Sequence, residues 1–228
     1  MNHTIRLVSL DVGYTLGEPS GTTLTQRLVA LSPLPAAQAK QIAQQHLHAL
    51  DPRGAMKAVE RVCAELGIGP ADFPRNHRPP GFRLWAGVLE SVARIARVAP
   101  VVTLSNVTYW DELACDIAGL LTPHLVAHHP SWKLGVAKPD PRAVQTVAHL
   151  HGVHPAEVLH VGDSLDYDVT GALAAGSRAL WITSQPPSPD AQRLLTEHAG
   201  RVTVVPGLAA AAAYIEQSLT THHRSTTP

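Results

Sequence analysis

From residue 84 onward, short apolar runs alternate with longer amphipathic stretches, and this alternation limits the fold more than any other feature of the sequence. The runs are rich in β-branched side chains, whereas the stretches between them carry apolar residues at helical spacing. Strands that alternate with helices form a parallel sheet with right-handed crossovers. The predicted strands are Ile5–Leu10, Val101–Leu104, Leu125–Ala127, Val158–Val161, Arg178–Ile182 and Val202–Val205. The sequence therefore predicts an α/β fold with a doubly wound, Rossmann-like parallel-sheet core.

The segment between the first strand and this alternating region has a different character. Helices are predicted there at Leu24–Leu31, Pro35–Leu50 and Arg53–Leu66, between a polar, Gly-containing connector and a Pro-rich one. We therefore expect residues 1–16 and 83–219 to form the core and residues 17–82 to form a small helical cap domain. Within the core, Tyr109–Leu121 is predicted as one helix, and residues 220–228 as a flexible tail.

Composition excludes several classes of partner and site. The 18 basic residues balance the 18 acidic residues, so we expect no nucleic-acid or membrane surface. Two cysteines are too few for a disulfide scaffold or a zinc site. The N-terminus carries no signal-peptide pattern, which indicates a cytoplasmic protein. Nothing in the sequence decides between a monomer and a homodimer.

Polar residues follow the predicted strands at the points where those strands end. Asp11 follows the first strand, Ser105 and Asn106 follow the second, and Asp163 follows the strand at Val158, with Asp168 close behind. Lys138 stands just before a helix in GVAKPDP. Parallel strands bring such residues to one edge of the sheet, where a carboxylate cluster suits Mg²⁺ and a hydroxyl with a lysine suits a phosphate. The set predicts phosphoryl transfer through an aspartyl-phosphate.

The ordered segments DVGYTL, VVTLSN, GVAKPDP and VGDSLDYD resemble the four motifs of the haloacid dehalogenase (HAD) superfamily, and the helical insert resembles that family's type-1 cap. The resemblance implies a Mg²⁺-dependent hydrolase that acts on a small phosphorylated metabolite, with Asp11 as the nucleophile. It implies that Mg²⁺ is held by Asp11, the backbone carbonyl of Gly13, Asp163 and, through water, Asp168. The residues predicted to hold the transferring group or orient its loop are Thr15, Ser105, Asn106 and Lys138.

Gly13 departs from the pattern that this resemblance implies. Phosphatases of the family carry there a second Asp that protonates the leaving group, and losing such an acid typically costs about 10²–10⁴-fold in rate. Three alternatives follow. A cap residue such as His46 or His48 could supply the acid; Lys57 could form an imine with a phosphonate metabolite, as in a phosphonatase; or the chain could be a binding protein without activity. Dehalogenation is disfavoured, because dehalogenases of the family lack the acidic residues found here at Asp163 and Asp168.

Overall fold

The computed structural model describes residues 4–50, 55–78, 81–112 and 115–224. Its strands are β1 (Leu7–Leu10), β2 (Gly17–Pro19), β3 (Phe82–Leu84), β4 (Val101–Ser105), β5 (Ala127–Pro130), β6 (Val158–Gly162), β7 (Arg178–Ile182) and β8 (Val202–Val205). Its helices are α1 (Leu24–Leu31), α2 (Ala36–Leu47), α3 (Ala55–Leu66), α4 (Val88–Ala96), α5 (Tyr109–Glu112), α6 (Ile117–Leu121), α7 (Ser131–Leu134), α8 (Pro141–Leu150), α9 (Thr170–Ala174), α10 (Pro189–Glu197) and α11 (Leu208–Arg224).

Six strands form one parallel sheet in the order β5-β4-β1-β6-β7-β8. The central strand β1 is buried along its whole length, and the aliphatic side chains of β1, β4 and β6 pack against helices on both faces. Helices α4 and α11 cover one face and α8 covers the other. The chain leaves β1 toward β4 on one side and later returns to β6 on the other, so the carboxyl end of β1 lies at a switch point of the topology, where such sheets bind ligands.

The helices between residues 24 and 66 enclose an apolar cluster of their own, around Leu28, Ala43, Leu47 and Val62. The two connectors, which the sequence indicates only as irregular segments, pair with each other as the antiparallel strands β2 and β3. Gly17 permits this pairing, because a Cβ at that position would collide with the carbonyl oxygen of Arg83. The chain therefore crosses between the core and the helical insert through a two-stranded ribbon.

Two local predictions are wrong. The stretch predicted as one helix at Tyr109–Leu121 contains two short helices, and Asp116 caps the second by accepting from the backbone N–H of Gly119 at 2.9 Å. Residues 113 and 114 lie outside the described residues. Strand β5 covers Ala127–Pro130 rather than Leu125–Ala127.

The predicted tail is helical at its start. Helix α11 continues to Arg224, because Leu219 packs against the core and anchors the last turns. Residues 225–228 lie outside the described residues, as does the predicted helix break at Asp51-Pro52. No helix in the described part of the chain has both the length and the apolar character needed to cross a bilayer.

Candidate active site

Lys138 lies at the centre of the polar residues that the strand ends bring together. Its ammonium group donates to Oδ1 of Asp11 and to Oδ1 of Asp168, at 2.6 Å in each case. All three side chains are buried, and Lys138 is only 3% exposed. Asp11 directly follows β1, whereas Asp168 lies in a single π-helical turn, Leu165–Val169, after β6. The fold thus joins Asp11 with Lys138, which is 127 positions away in the sequence, and with Asp168, which is 157 positions away, in one ion-paired cluster.

Thr15 connects Asp11 to the third carboxylate, Asp163. Its hydroxyl oxygen lies 3.2 Å from Oδ2 of Asp11 and 3.2 Å from Oδ1 of Asp163. One hydroxyl proton can satisfy only one carboxylate at a time, and Asp11 already accepts from Lys138, so the two carboxylates share a single hydroxyl donor. Asp163 itself is fixed through its backbone, because its carbonyl accepts from the indole N–H of Trp181 at 2.9 Å.

Asn106 holds the loop that carries Lys138. Its amide nitrogen donates to the carbonyl of Lys138 at 2.7 Å, and its amide oxygen accepts from the N–H of the same residue at 2.9 Å. The predicted phosphate-binding role of Asn106 therefore competes with a positioning role that occupies both ends of the amide. Ser105 is buried at the end of β4 and lines the same cavity as Asp11 and Lys138.

His160 belongs to this network and was not predicted from the sequence. Its Nε2 lies 3.1 Å from Oδ1 of Asp168, its Nδ1 lies 3.0 Å from the hydroxyl of Ser9, and the side chain is fully buried. The other oxygen of Asp168 accepts from the backbone N–H of Ser164 at 3.0 Å. A histidine on a buried strand has no signal in the sequence that distinguishes it from a packing residue.

The charges of the cluster do not balance, and the carboxyl pKa values respond to this. Burial raises the pKa of Asp11 to about 6, and the charge of Asp168 adds to the rise, although Lys138 opposes it. Burial likewise raises the pKa of Asp163, again with Asp168 adding to the effect. Burial also acts on Asp168, but Lys138 and the hydrogen bond from His160 outweigh it and hold the pKa of Asp168 below its usual range.

This imbalance suits a divalent cation. Asp11, Asp163 and Asp168 each offer an oxygen, and these oxygens lie within 4.8 Å of one another. Three carboxylates and one ammonium leave two negative charges, which one divalent ion would neutralise. An all-oxygen donor set is the set that Mg²⁺ prefers. The side chains therefore fit Mg²⁺, and the family resemblance implies the carbonyl of Gly13 as a further ligand.

A cavity of about 720 Å³ opens above these residues, between the sheet edge and the helical insert. Its insert-side wall comes from α1 and α2 and includes Lys40, Gln44 and His48, whereas Lys57 lies exposed on α3 and is not among the described residues that line it. The structure therefore does not bring Lys57 to the site. Volumes of 300–1,000 Å³ are usual for sites that bind small molecules.

Two neighbouring residues of the first loop shape the floor of this cavity. A Cβ placed on Gly13 would meet nothing within 4 Å, so the space beside Asp11 is open. Tyr14 has a φ of 59°, which costs a residue with a Cβ roughly 1–2 kcal/mol, and its ring is 55% exposed at the cavity. The loop thus holds Tyr14 in a strained backbone conformation three residues after Asp11.

Asp111 joins the insert to the core beside the cavity and was also not predicted. Its Oδ1 accepts from the backbone N–H of Leu24 at 2.9 Å and lies 2.9 Å from Nε2 of His77. Its Oδ2 accepts from the hydroxyl of Thr108 at 2.9 Å. Because Leu24 and His77 lie in the insert, one buried carboxylate ties both of its ends to the core. On the opposite rim, Tyr167 donates to Gln44 at 3.1 Å.

Comparison with known proteins agrees with this architecture. Residues 135–211, which include Lys138, Asp163 and Asp168, match a family model described as HAD-hydrolase-like. The chain is 40% identical over 73 residues to the phosphoserine phosphatase of Thermus thermophilus, and the match covers 29% of this chain and 29% of that protein. The chain thus spans under a third of the curated relative that it matches.

Solved structures match over nearly the whole chain. A 2-haloacid dehalogenase from Pseudomonas syringae matches with a TM-score of 0.61 and 18% identity, over 94% of this chain and 99% of that one. The L-2-haloacid dehalogenase of Xanthobacter autotrophicus matches with a TM-score of 0.56 and 20% identity, over 93% of this chain and 98% of that one. The HAD-hydrolase YfnB of Bacillus subtilis, bound to magnesium, matches with a TM-score of 0.55 and 17% identity, over 93% of this chain and 99% of that one. These identities establish a shared fold. The predicted fold class and the predicted resemblance to the HAD superfamily are confirmed.

Proposed function

We propose, from the premise that this chain is a HAD-like hydrolase, that it hydrolyses a small phosphorylated metabolite through an aspartyl-phosphate on Asp11, with Mg²⁺ bound. The observation that carries the proposal is the position of Lys138, 2.6 Å from both Asp11 and Asp168 at the edge of the sheet. An ammonium group beside a carboxylate nucleophile can hold the phosphoryl oxygens while the carboxylate attacks.

The chain's own residues can carry the two chemical steps. An oxygen of Asp11 attacks phosphorus, the bond from phosphorus to the ester oxygen breaks, and that oxygen takes the bonding electron pair and a proton and departs as the alcohol. Water then attacks the phosphorus of the aspartyl-phosphate, inorganic phosphate leaves, and the Asp11 carboxylate is restored. Lys138 and the hydroxyl of Ser105 would hold the phosphoryl oxygens, while Thr15 keeps the loop in place. Mg²⁺ held by Asp11, Asp163, Asp168 and the Gly13 carbonyl would neutralise charge on the phosphoryl group.

The carboxylate cluster favours this reaction over dehalogenation. Dehalogenation uses no divalent ion and would leave two negative charges of the cluster uncompensated, whereas phosphoryl transfer would use the divalent ion that neutralises them. The segment that is 40% identical to a phosphoserine phosphatase points the same way. The phosphonatase alternative depends on Lys57, which is exposed away from the cavity.

Phosphate release tests the proposal directly. The purified protein is incubated with a panel of phosphate monoesters, phosphoserine included, with Mg²⁺ or with EDTA. Turnover that needs Mg²⁺ and falls by at least about 10³-fold in Asp11→Asn is expected, because that variant lacks the nucleophile. Asp166→Asn is the matched control, since Asp166 is an exposed carboxylate two residues from Asp168.

Other outcomes would contradict the proposal. Halide release from a 2-haloacid without phosphate release would make the chain a dehalogenase. Tight binding of phosphate esters without turnover would make it a binding protein. Equal turnover by wild type and Asp11→Asn would exclude an aspartyl-phosphate.

A further inference from the structure

His48 faces the cavity from the insert, and the reaction proposed above gives it no role. It follows the last residue of α2 in helical conformation, and its N–H donates to the carbonyl of Gln44 at 3.1 Å. Lys40, Gln44 and His48 are spaced four residues apart, so they share one helix face, and all three line the cavity that Asp11 lines. His48 is 8% exposed, so it is a mostly buried side chain in the wall of that cavity.

His46, two positions earlier, takes the opposite direction. Its Nε2 lies 2.9 Å from Oε2 of Glu65 on α3, within the insert. Of these two neighbouring histidines, one therefore serves the packing of the insert and the other reaches the site. His48 lines the same cavity as Lys138 and Asp11, and the ammonium of Lys138 contributes to lowering the pKa of His48.

Hydrolysis of an alkyl phosphate requires a proton donor near the ester oxygen of the leaving group. An alkoxide is a poor leaving group, so the ester oxygen must be protonated as its bond to phosphorus breaks. Several polar groups on the cavity wall are already engaged. Lys138 lies between two carboxylates, Asp111 accepts from the insert and from Thr108, and Nδ1 of His128 lies 2.6 Å from the hydroxyl of Thr103. A Cβ on Gly13 would meet no atom within 4 Å apart from its chain neighbours, so there is room for a group at this position.

We propose that His48 is the acid and base of this reaction, acting from the insert into the open space beside Gly13; this rests on the function proposed above. In the first step the imidazolium gives its proton to the ester oxygen, which takes the electron pair of the breaking bond and leaves as an alcohol. In the second step neutral His48 takes a proton from the attacking water, and the electron pair of the bond between phosphorus and Asp11 returns to the carboxylate. Atoms and charge balance over the cycle, and the imidazolium is restored.

The electrostatics of the site are compatible with both protonation states. Burial lowers the pKa of His48 to about 4 in the free protein, and the ammonium groups of Lys138 and Lys40 lower it as well. A phosphate dianion bound against Lys138 would cancel much of that ammonium's field and favour the imidazolium. The substrate can also bring the proton, since the second pKa of a phosphate monoester is roughly 6.

Leaving-group dependence tests the proposal. Phosphoserine serves as the alkyl ester, and para-nitrophenyl phosphate serves as an aryl ester whose phenolate departs without protonation. His48→Gln is expected to lower kcat/KM for phosphoserine about 10²-fold or more. For the aryl ester, kcat/KM should change by no more than about threefold. The retained aryl activity shows that the variant is folded. His46→Gln is the matched control, on the same helix but facing α3, and should change neither value.

A second variant restores the missing group. Gly13→Asp introduces a carboxyl where a Cβ meets no atom within 4 Å, and in the His48→Gln background it should recover phosphoserine turnover. Equal losses on both esters, or no loss on phosphoserine, would overturn the role of His48 while leaving the proposed function intact. Failure of the wild-type protein to release phosphate from either ester would overturn both.

Discussion

Replacing Asp11 with Asn should stabilise the metal-free protein although it removes the proposed nucleophile. Burial, with the charge of Asp168, raises the pKa of Asp11 from 3.8 to about 6 against the attraction of Lys138. Above that pH the carboxylate of Asp11 is ionised in both states, but it is buried in the folded protein and hydrated in the unfolded chain. A difference of about two pKa units corresponds to ~3 kcal/mol of unfolding free energy. The side-chain oxygen of Asn can still accept from Lys138, but its buried amide N–H group needs an acceptor. We therefore expect the unfolding free energy to rise by roughly 1–3 kcal/mol.

The sign of the effect gives it a pH signature. A raised pKa means that the folded state binds more protons than the unfolded state between pH 3.8 and about 6, so wild-type stability falls as pH rises through that window. Asp11→Asn lacks this contribution. The difference in unfolding free energy between the two proteins should therefore be small near pH 4, grow up to about pH 6 and be constant above about pH 7.

Urea unfolding in EDTA, at pH values from 4 to 8, measures this difference, with Asp166→Asn as an exposed control that should not change it. A variant less stable than wild type at pH 7.5, or a difference that persists unchanged down to pH 4, would refute the reasoning.

Further predictions concern the metal, the ribbon and the buried carboxylate that ties the insert to the core. Saturating Mg²⁺, at about 100 times its Kd, should raise the unfolding free energy of the wild type by ~2.7 kcal/mol, and thermal melts should show a much smaller rise in Asp163→Asn. Gly17→Ala should cost at least about 1–3 kcal/mol in urea unfolding, because the new Cβ collides with the carbonyl of Arg83; Gly207→Ala, where a Cβ meets nothing within 4 Å, should be nearly neutral. Asp111→Ala should cost about 3–5 kcal/mol, since it strips three hydrogen bonds from a buried site, and limited proteolysis should then cut the insert faster than in wild type.

The residues at the sheet edge could be predicted because one topological rule brings them together. Once the apolar runs indicate parallel strands, the residues after β1, β4 and β6 must meet at one edge, whatever their separation in sequence. Asp11, Ser105 and Asp163 follow from that rule alone. Lys138 precedes a helix rather than following a strand, and its place came from the resemblance of GVAKPDP to a known motif.

The interior partners of these residues could not be predicted in the same way. His160 lies on β6 among aliphatic residues, and its polar partners are Ser9 on β1 and Asp168, which a π-helical turn folds back on it. Asp111 stands in a stretch that periodicity predicts as one regular helix, and its partners Leu24 and His77 are far from it in sequence. Burial of a polar side chain depends on what other segments bring to it, which no local pattern contains.

The insert shows where helical periodicity stops being informative. Spacing alone separates His46 from His48, because residues two apart on a helix point in different directions. Spacing does not show which of the two side chains faces the sheet, since that depends on how the ribbon of β2 and β3 orients the insert relative to the core. Lys57, on α3, and His48, at the end of α2, are therefore equal candidates in sequence. The structure separates them because α1 and α2 form the cavity wall, whereas Lys57 is turned to solvent. Among the described residues of the insert that line the cavity, Lys40 and His48 on one face of α2 are the candidates for proton transfer or imine chemistry.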